Sequence, residues 1–376
     1  MSLDWLLGRQ LEAFAAAGFE VIGVSAPGLH VEALAARGIA HVPVSSFTRA
    51  LAPHRDLAAG PELVSVFRRL RPDIVHTHNP KPGILGRPAA RWAGVPHVVN
   101  TVHGLYALPG DSRRRRAVVY GLERAAARFS DVELLQNVED LAVMRRLGVD
   151  DERLVVLGNG IDLTRFDPKR VDPRRREALR RQWGAEPGTV VVGVVGRLVW
   201  EKGYREVFEM ARRLGPRARV VVVGPAEPDK RGAVDTASME AAAADGVVFC
   251  GERHDMVDVH AAFDVFVLAS HREGYPRAAM EASALARPVV ATDIRGCRQV
   301  VVDGETGRLV PVGDVAALTA AVADLVDDPR RRQEWGRAAR RRAEAEFDER
   351  RVIAITLGVY ERLLASAPRR AATTAA

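Results

Sequence analysis

The sequence predicts an α/β protein of two doubly wound, Rossmann-like domains facing a cleft, and three observations carry that expectation. At 376 residues the chain exceeds the size at which one core keeps growing, so two domains are the default. Short β-branched runs alternate with alanine-, leucine- and arginine-rich segments of helical period, the pattern of parallel sheets with helices on both faces. The alternation occurs twice, on either side of Phe166-Asp167-Pro168-Lys169-Arg170-Val171-Asp172-Pro173, whose prolines and charges suit a linker.

Strands are expected at 20–25, 73–76, 97–102, 154–157, 190–195, 219–223, 246–250, 264–268 and 288–292, each a β-branched run bounded by turn formers. Helices are expected at 3–16, 84–93, 112–127 and 207–214, and at the end of the chain at 314–325, 329–346 and 349–364. The first shows Leu3, Leu6, Leu7, Leu11 and Phe14 at helical spacing. The domains then run 1–170 and 171–345, and segment 346–376 holds a helix crossing back to the first domain and a frayed Ala-Ala-Thr-Thr-Ala-Ala tail. Ligands of such folds bind at the carboxyl ends of the strands.

Composition narrows the class. Hydrophobic residues at 47% and charged residues at 27% are ordinary for a soluble globular protein. No run approaches the ~18 apolar residues of a membrane span. The start lacks the basic region and small-residue cleavage site of a signal peptide, and the two cysteines, Cys250 and Cys297, suggest no disulfide framework. A cytoplasmic setting, with possible placement at the inner face of the plasma membrane, is the simplest expectation. The net charge is +7, yet aromatics are only 6% and no basic stripe is interleaved with stacking residues, which argues against nucleic acid. The run Arg113-Arg114-Arg115-Arg116 leaves two readings, a solvated helix face or a contact with anionic lipid or a diphosphate-linked acceptor.

The most informative segment is Arg272-Glu273-Gly274-Tyr275-Pro276-Arg277-Ala278-Ala279-Met280-Glu281, with seven residues between its two glutamates. Pro276 suits the first helical position, and Gly274 suits a sharp turn into the helix close to a ligand. The free amides of the first turn accept negative or hydroxyl-bearing groups. Glu281 lies about 7–8 Å beyond Pro276 along such a helix. That separation fits an elongated ligand with a sugar at the mouth and a ribose deeper, which is a nucleotide-sugar. Gly196-Arg197-Leu198-Val199-Trp200-Glu201-Lys202-Gly203 follows a buried strand, and its arginine fork and lysine point charge suit a diphosphate. It is not a Walker loop, because the Lys-Ser/Thr pair is absent.

Together with Ala291-Thr292-Asp293-Ile294-Arg295-Gly296-Cys297-Arg298, these segments resemble glycosyltransferase family 4, retaining enzymes of the two-domain GT-B architecture. His76-Thr77-His78-Asn79-Pro80-Lys81-Pro82-Gly83, Asn100-Thr101-Val102-His103-Gly104 and Asn159-Gly160-Ile161-Asp162 resemble it in the right order, most closely its bacterial surface-polysaccharide and glycolipid transferases. The resemblance implies that Arg197 and Lys202, in the loop opened by Gly196, bind the donor diphosphate and stabilise the leaving group. It implies that Glu281 takes the ribose hydroxyls, and that Glu273 takes the donor-sugar hydroxyls with the turn of Gly274, Tyr275 and Pro276. It puts His103 near the donor sugar and the reacting centre; a satisfied core histidine is the alternative. His76 and His78 share a strand face, with no third metal ligand at a recognisable spacing, and Lys81 is placed to touch an acceptor phosphate.

No Asp-x-Asp triplet occurs, so metal-independent transfer is expected, with no cofactor beyond the nucleotide-sugar, a UDP-sugar by family weight. The acceptor is expected to be lipid-linked, a polysaccharide precursor or a small molecule. A sugar-nucleotide 2-epimerase of the same architecture and a non-catalytic nucleotide-sugar binder are the alternatives. Two departures stand out. The family pattern opens with a buried strand before its first helix, and this sequence enters helix at once, which reads as a late-assigned start in preference to a truncated product. Gln299 stands where relatives often carry glutamate.

Overall fold

A computed structural model of the chain describes residues 3, 6–28, 31–48, 53–105, 107, 110–228, 230 and 232–366. Met1, Ser2 and Asp4, and the alanine- and threonine-rich tail expected to fray, lie outside the described residues. The chain folds as two compact units, one of Met1–Leu157 with Arg350–Ala376, the other of Gly158–Glu349. The division thus falls ahead of the proline-rich stretch near residue 170, because Ile161 and Phe166 already belong to the core of the second unit.

The first unit runs α1 (Gly8–Ala16), β1 (Ile22–Ser25), α2 (Val31–Ala36), β2 (Ala40–Pro43), α3 (Pro53–Leu70), β3 (Ile74–His78), α4 (Pro80–Trp92), β4 (His97–Val102), α5 (Arg113–Ala127), β5 (Val132–Leu135), α6 (Glu139–Arg146) and β6 (Leu154–Val156). All pairings are parallel, as the alternation predicts, in a two-stranded sheet β1-β2 and a four-stranded sheet β3-β4-β5-β6. Among the described residues no strand joins β1 to β3. A cavity of about 1270 Å³ is lined by both of these strands, by Leu11 and Phe14 of α1 with Leu7 just before it, and by Leu63 and Phe67 of α3.

A buried charge network ties this unit together. Arg87 of α4 is fully buried, and donates to Glu133 of β5 at 2.8 Å, to Glu123 of α5 at 2.8 Å and to the carbonyl of Gly83 at 2.8 Å. Asn100 of β4 donates to the other oxygen of Glu133 at 2.7 Å. Burial pushes the Glu133 carboxyl up, opposed by the Arg87 charge.

The second unit holds β7 (Val190–Val195), β8 (Ala218–Val223), β9 (Val248–Phe249), β10 (Val265–Leu268), β11 (Val289–Thr292) and β12 (Gly307–Val310) in one parallel sheet of order β12-β11-β10-β7-β8-β9. Its helices are α7 (Pro173–Gln182), α8 (Tyr204–Leu214), α9 (Thr236–Ala244), α10 (Met256–Ala262), α11 (Arg277–Ala284), α12 (Arg295–Arg298), α13 (Val315–Asp327) and α14 (Pro329–Glu346). Aspartates 172, 235, 314 and 328 accept first-turn amides of α7, α9, α13 and α14, which fixes where those helices begin. Strand residues alternate between two cores. Val191, Val221, Val223, Phe266 and Leu268 face one side, and Val190, Val192, Val220, Val222, Val265 and Val267 the other.

The closing helix α15 (Glu349–Ser366) returns the chain to the first unit, where Val352, Val359 and Tyr360 pack with Phe14, Val99 and Leu134. The expected helix at 3–16 is observed as α1 from Gly8. Seven helices, α2, α3, α6, α7, α9, α10 and α12, and three strands, β2, β5 and β12, are additions to the sequence-based assignment.

Candidate active site

In the second unit β7 leads to β8 on one side of the sheet, while β10 leads to β11 on the other. The carboxyl ends of β7 and β10 therefore flank the point where strand order reverses, the place where open α/β sheets bind ligands. The loop after β7 carries Gly196, Arg197 and Lys202, and the loop after β10 carries Glu273, Gly274 and Tyr275. The two loops meet. Lys202 Nζ donates to Glu273 Oε1 at 2.5 Å, and Ser270 Oγ donates to the same oxygen at 2.7 Å.

Close backbone approach makes this meeting possible. Gly203 has φ +77°, and a Cβ there would lie 2.0 Å from the carbonyl oxygen of Ala269. From the opposite side α12 presses on the same carboxylate residue, since a Cβ on Gly296 would lie 2.8 Å from Glu273 Cβ. Tyr204 of α8 donates to the Gly196 carbonyl at 2.8 Å, anchoring the start of the cationic loop. Thr292 at the end of β11 donates to the Ser270 carbonyl at 2.5 Å. Burial and the neighbouring Glu273 charge both push the Cys297 thiol up, so it stays protonated.

Other expected residues have different partners. Arg197 pairs with Glu227 at 3.4 Å, and Lys230 donates to the same carboxylate at 2.6 Å. Pro276 proves to be the N-cap, with ψ 105°, and the first helical residue is Arg277, a correction of one position. The residue before the helix keeps an extended ψ, so proline's fixed φ serves the cap equally well. Tyr275 donates its hydroxyl to the Gln299 carbonyl at 3.3 Å, and its own carbonyl accepts from Asn159 Nδ2 at 3.5 Å. Glu281 sits in α11, and its carboxylate faces His260 of α10 at 3.4 Å. Sequence reasoning passed over Ser270 and His260. A serine two residues beyond a buried strand was the available signal for the first; nothing local marked the second.

In the first unit the histidines gather at the carboxyl ends of β3 and β4. The rings of His76 and His78 stack with centroids 4.2 Å apart. His78 Nδ1 and His103 Nε2 are 3.1 Å apart, and His103 Nδ1 is 3.1 Å from Gln136 Oε1. An amide oxygen only accepts, so His103 carries its proton on Nδ1 and takes one from His78 at Nε2. His76 bonds Thr101 at 2.7 Å and Tyr360 at 2.5 Å. Burial drives the His76 pKa down to about 3 and that of His103 to about 4, and holds His78 well below the ordinary value. All three rings are neutral at pH 7. Lys81 is engaged by Asp56 and by Thr48, whose carbonyl accepts at 2.9 Å.

Two parallel α/β units, one with paired cations and carboxylates at its sheet's switch point, define the GT-B class of sugar-transferring proteins. Residues 175–342 match the glycosyl transferases group 1 model, and residues 7–165 match the model of glycosyltransferase family 4. The chain is 32% identical to the UDP-Gal:alpha-D-GlcNAc-diphosphoundecaprenol alpha-1,3-galactosyltransferase of Escherichia coli, across 76% of this chain and 74% of that one. It is 27% identical to the N,N'-diacetylbacillosaminyl-diphospho-undecaprenol alpha-1,3-N-acetylgalactosaminyltransferase of Campylobacter jejuni, across 80% of each. Anabaena HepE, solved in complex with UDP and glucose, superposes with TM-score 0.78 at 20% identity, covering 97% of this chain and 96% of that one. The chain belongs to glycosyltransferase family 4, and it is a glycosyltransferase.

Proposed function

We propose that the protein is a retaining, metal-independent glycosyltransferase that moves a sugar from a UDP-sugar to a hydroxyl of a diphosphate-linked glycolipid at an anionic membrane surface. The observation that carries this reading is the Lys202–Glu273 pair at the ends of β7 and β10. The diphosphate draws Lys202 and Arg197 from their carboxylate partners, and both cations then neutralise charge growing on the leaving phosphate. Glu273, freed from Lys202 and still held by Ser270, accepts from the sugar hydroxyls with the amides after it. Glu281 accepts from the ribose. His103 supplies a neutral imidazole to the transfer step, with a sugar hydroxyl taking the place of His78 at Nε2.

The departing phosphate serves as base, so the acceptor attacks on the face the leaving group vacates, through an oxocarbenium-like transition state. Both glutamates lie along one helix and its entrance, which does not suit the flanking carboxylates of a glycosidase. The nucleotide named for the E. coli relative, and the UDP bound to HepE, support a uridine donor. The diphosphoundecaprenol in the names of both relatives supports a lipid-linked acceptor.

Helix α5 supports the membrane contact. Its exposed residues include Arg113, Arg114, Arg115 and Arg124, and between them Val118 is 56% and Leu122 47% exposed. The one acidic residue of the helix, Glu123, is buried against Arg87. An apolar stripe flanked by arginines suits an anionic lipid surface. No helix among the described residues is long and apolar enough to cross a membrane.

The test is product analysis with purified protein, UDP-sugars and lipid-diphosphate acceptors. UDP release that requires acceptor, an anomeric configuration matching the donor, and activity unchanged by EDTA are expected. Isomerised donor without acceptor would replace transfer with epimerisation. Loss with EDTA and recovery with Mg²⁺ would remove the metal-independent part.

A further inference from the structure

Within the donor site one buried polar side chain has no assigned task. His260 of α10 is fully buried, and among the described residues neither of its ring nitrogens has a hydrogen-bond partner. Aromatic rings box it in: Phe166 at 6.3 Å, Phe263 at 5.7 Å and Phe266 at 5.5 Å between centroids. An apolar residue would pack there without stranding two polar atoms, so the imidazole is poorly explained by the core. The polar group beside it is Glu281, whose Oε2 lies 3.4 Å from His260 Nε2. That gap is longer than a good N–H···O bond, so the contact tightens into one only if the glutamate side chain turns toward the ring. The Glu281 side chain is itself 15% exposed, so it is not sealed in the core as His260 is.

We infer that His260 is a positioning residue for Glu281, donating from Nε2 to one carboxylate oxygen while the remaining lone pairs take the ribose hydroxyls of the donor. This rests on the ribose role given to Glu281 above. A glutamate near a helix surface has several open rotamers, and a bidentate contact with two hydroxyls needs one of them. The imidazole, fixed by its aromatic box, selects that rotamer before the ligand arrives. A carboxylate has lone pairs to spare for three donors.

The experiment compares the full chain with His260→Leu, His260→Gln and Glu281→Gln. Calorimetry uses whichever of UDP, GDP and ADP binds the parent most tightly, together with the 2′-deoxy form of that nucleotide. His260→Leu is expected to weaken the ribonucleotide about tenfold, equal to about 1.4 kcal/mol, and to change the 2′-deoxy form less than threefold. His260→Gln, which keeps an N–H donor, should recover most of that affinity. In assays His260→Leu should raise the donor KM about tenfold and leave kcat within twofold.

Equal losses for both nucleotides would mark a packing defect, and an unchanged affinity would mark a bystander; either result overturns the inference. If Glu281→Gln weakens the ribonucleotide and His260→Leu does not, positioning fails and the ribose reading survives. If Glu281→Gln has no effect, or no nucleotide binds the parent, both fall. Should His260→Leu not fold, His260→Gln against Glu281→Gln in the same deoxy comparison carries the test.

Discussion

At the scale of single residues, the proposed donor site is a set of charges paired with one another. Lys202 leans on Glu273 and Arg197 on Glu227, so under the proposed function each cation would leave a carboxylate partner to meet the diphosphate. Lys202→Ala removes charge that matters most as the leaving group departs, and should lower kcat/KM by a factor of about 100 or more, near 3 kcal/mol. Glu273→Gln should cost a comparable factor, and the double variant less than the product of the two, because the residues touch. Steady-state kinetics of the three variants check this, and full multiplicativity would contradict it. The loops that carry Lys202 and Glu273, and the helix that carries Glu281, were legible in the sequence because glycine, proline and charge mark strand ends and the helix entrance. Ser270 was not, since it acts on a neighbour's side chain, and the segment of Asn159 was marked without its contact to Tyr275, 116 positions away.

At the scale of elements, strands rich in valine matched the assignment best, and β5 was lost where a charge sits inside the run. β4 and β7 run over the residues expected of them, His97–Val102 and Val190–Val195. β5 was missed because Glu133 breaks its apolar run, and only the tertiary fold brings Arg87 to neutralise that glutamate. Arg87→Met leaves two buried carboxylates short of a cation and should destabilise the first unit by about 3–5 kcal/mol, measurable by denaturant unfolding. Helix α3 was missed because Gly60 and Pro61 interrupt a helix that nonetheless runs Pro53–Leu70. Helix α5 was legible as a helix, while its exposed valine and leucine were visible only in the fold. Val118→Asp with Leu122→Asp should abolish co-sedimentation with anionic vesicles and leave transfer to a short soluble acceptor within twofold. Persistent vesicle binding by this variant would remove α5 from the membrane face.

At the scale of the whole molecule, the histidine group gives stability a pH dependence. His76, His78 and His103 are held neutral in the fold, while in the unfolded chain they take up protons below about pH 6.5. The unfolded state then binds more protons, so folded-state stability is fully present above about pH 6.5 and falls as pH drops toward their lowered values. His76 and His103 should each contribute a loss of about 1–2 kcal/mol between pH 7 and pH 5, and His78 adds to it in the same direction. Urea unfolding at the two values checks it, and His78→Asn should flatten the slope.

The sequence by itself determined the α/β class and the doubling of the domain, and marked the cationic loop and paired glutamates proposed to hold the donor. All three are written in local periodicity and in loops anchored to strand ends. Only the tertiary structure decided that the chain divides ahead of residue 158, that β7 and β10 lie side by side so that Lys202 meets Glu273, and that His260 faces Glu281. The physical reason is that strand order and burial join residues far apart in the chain, and no local pattern of charge or hydrophobicity encodes which distant neighbour a side chain will meet.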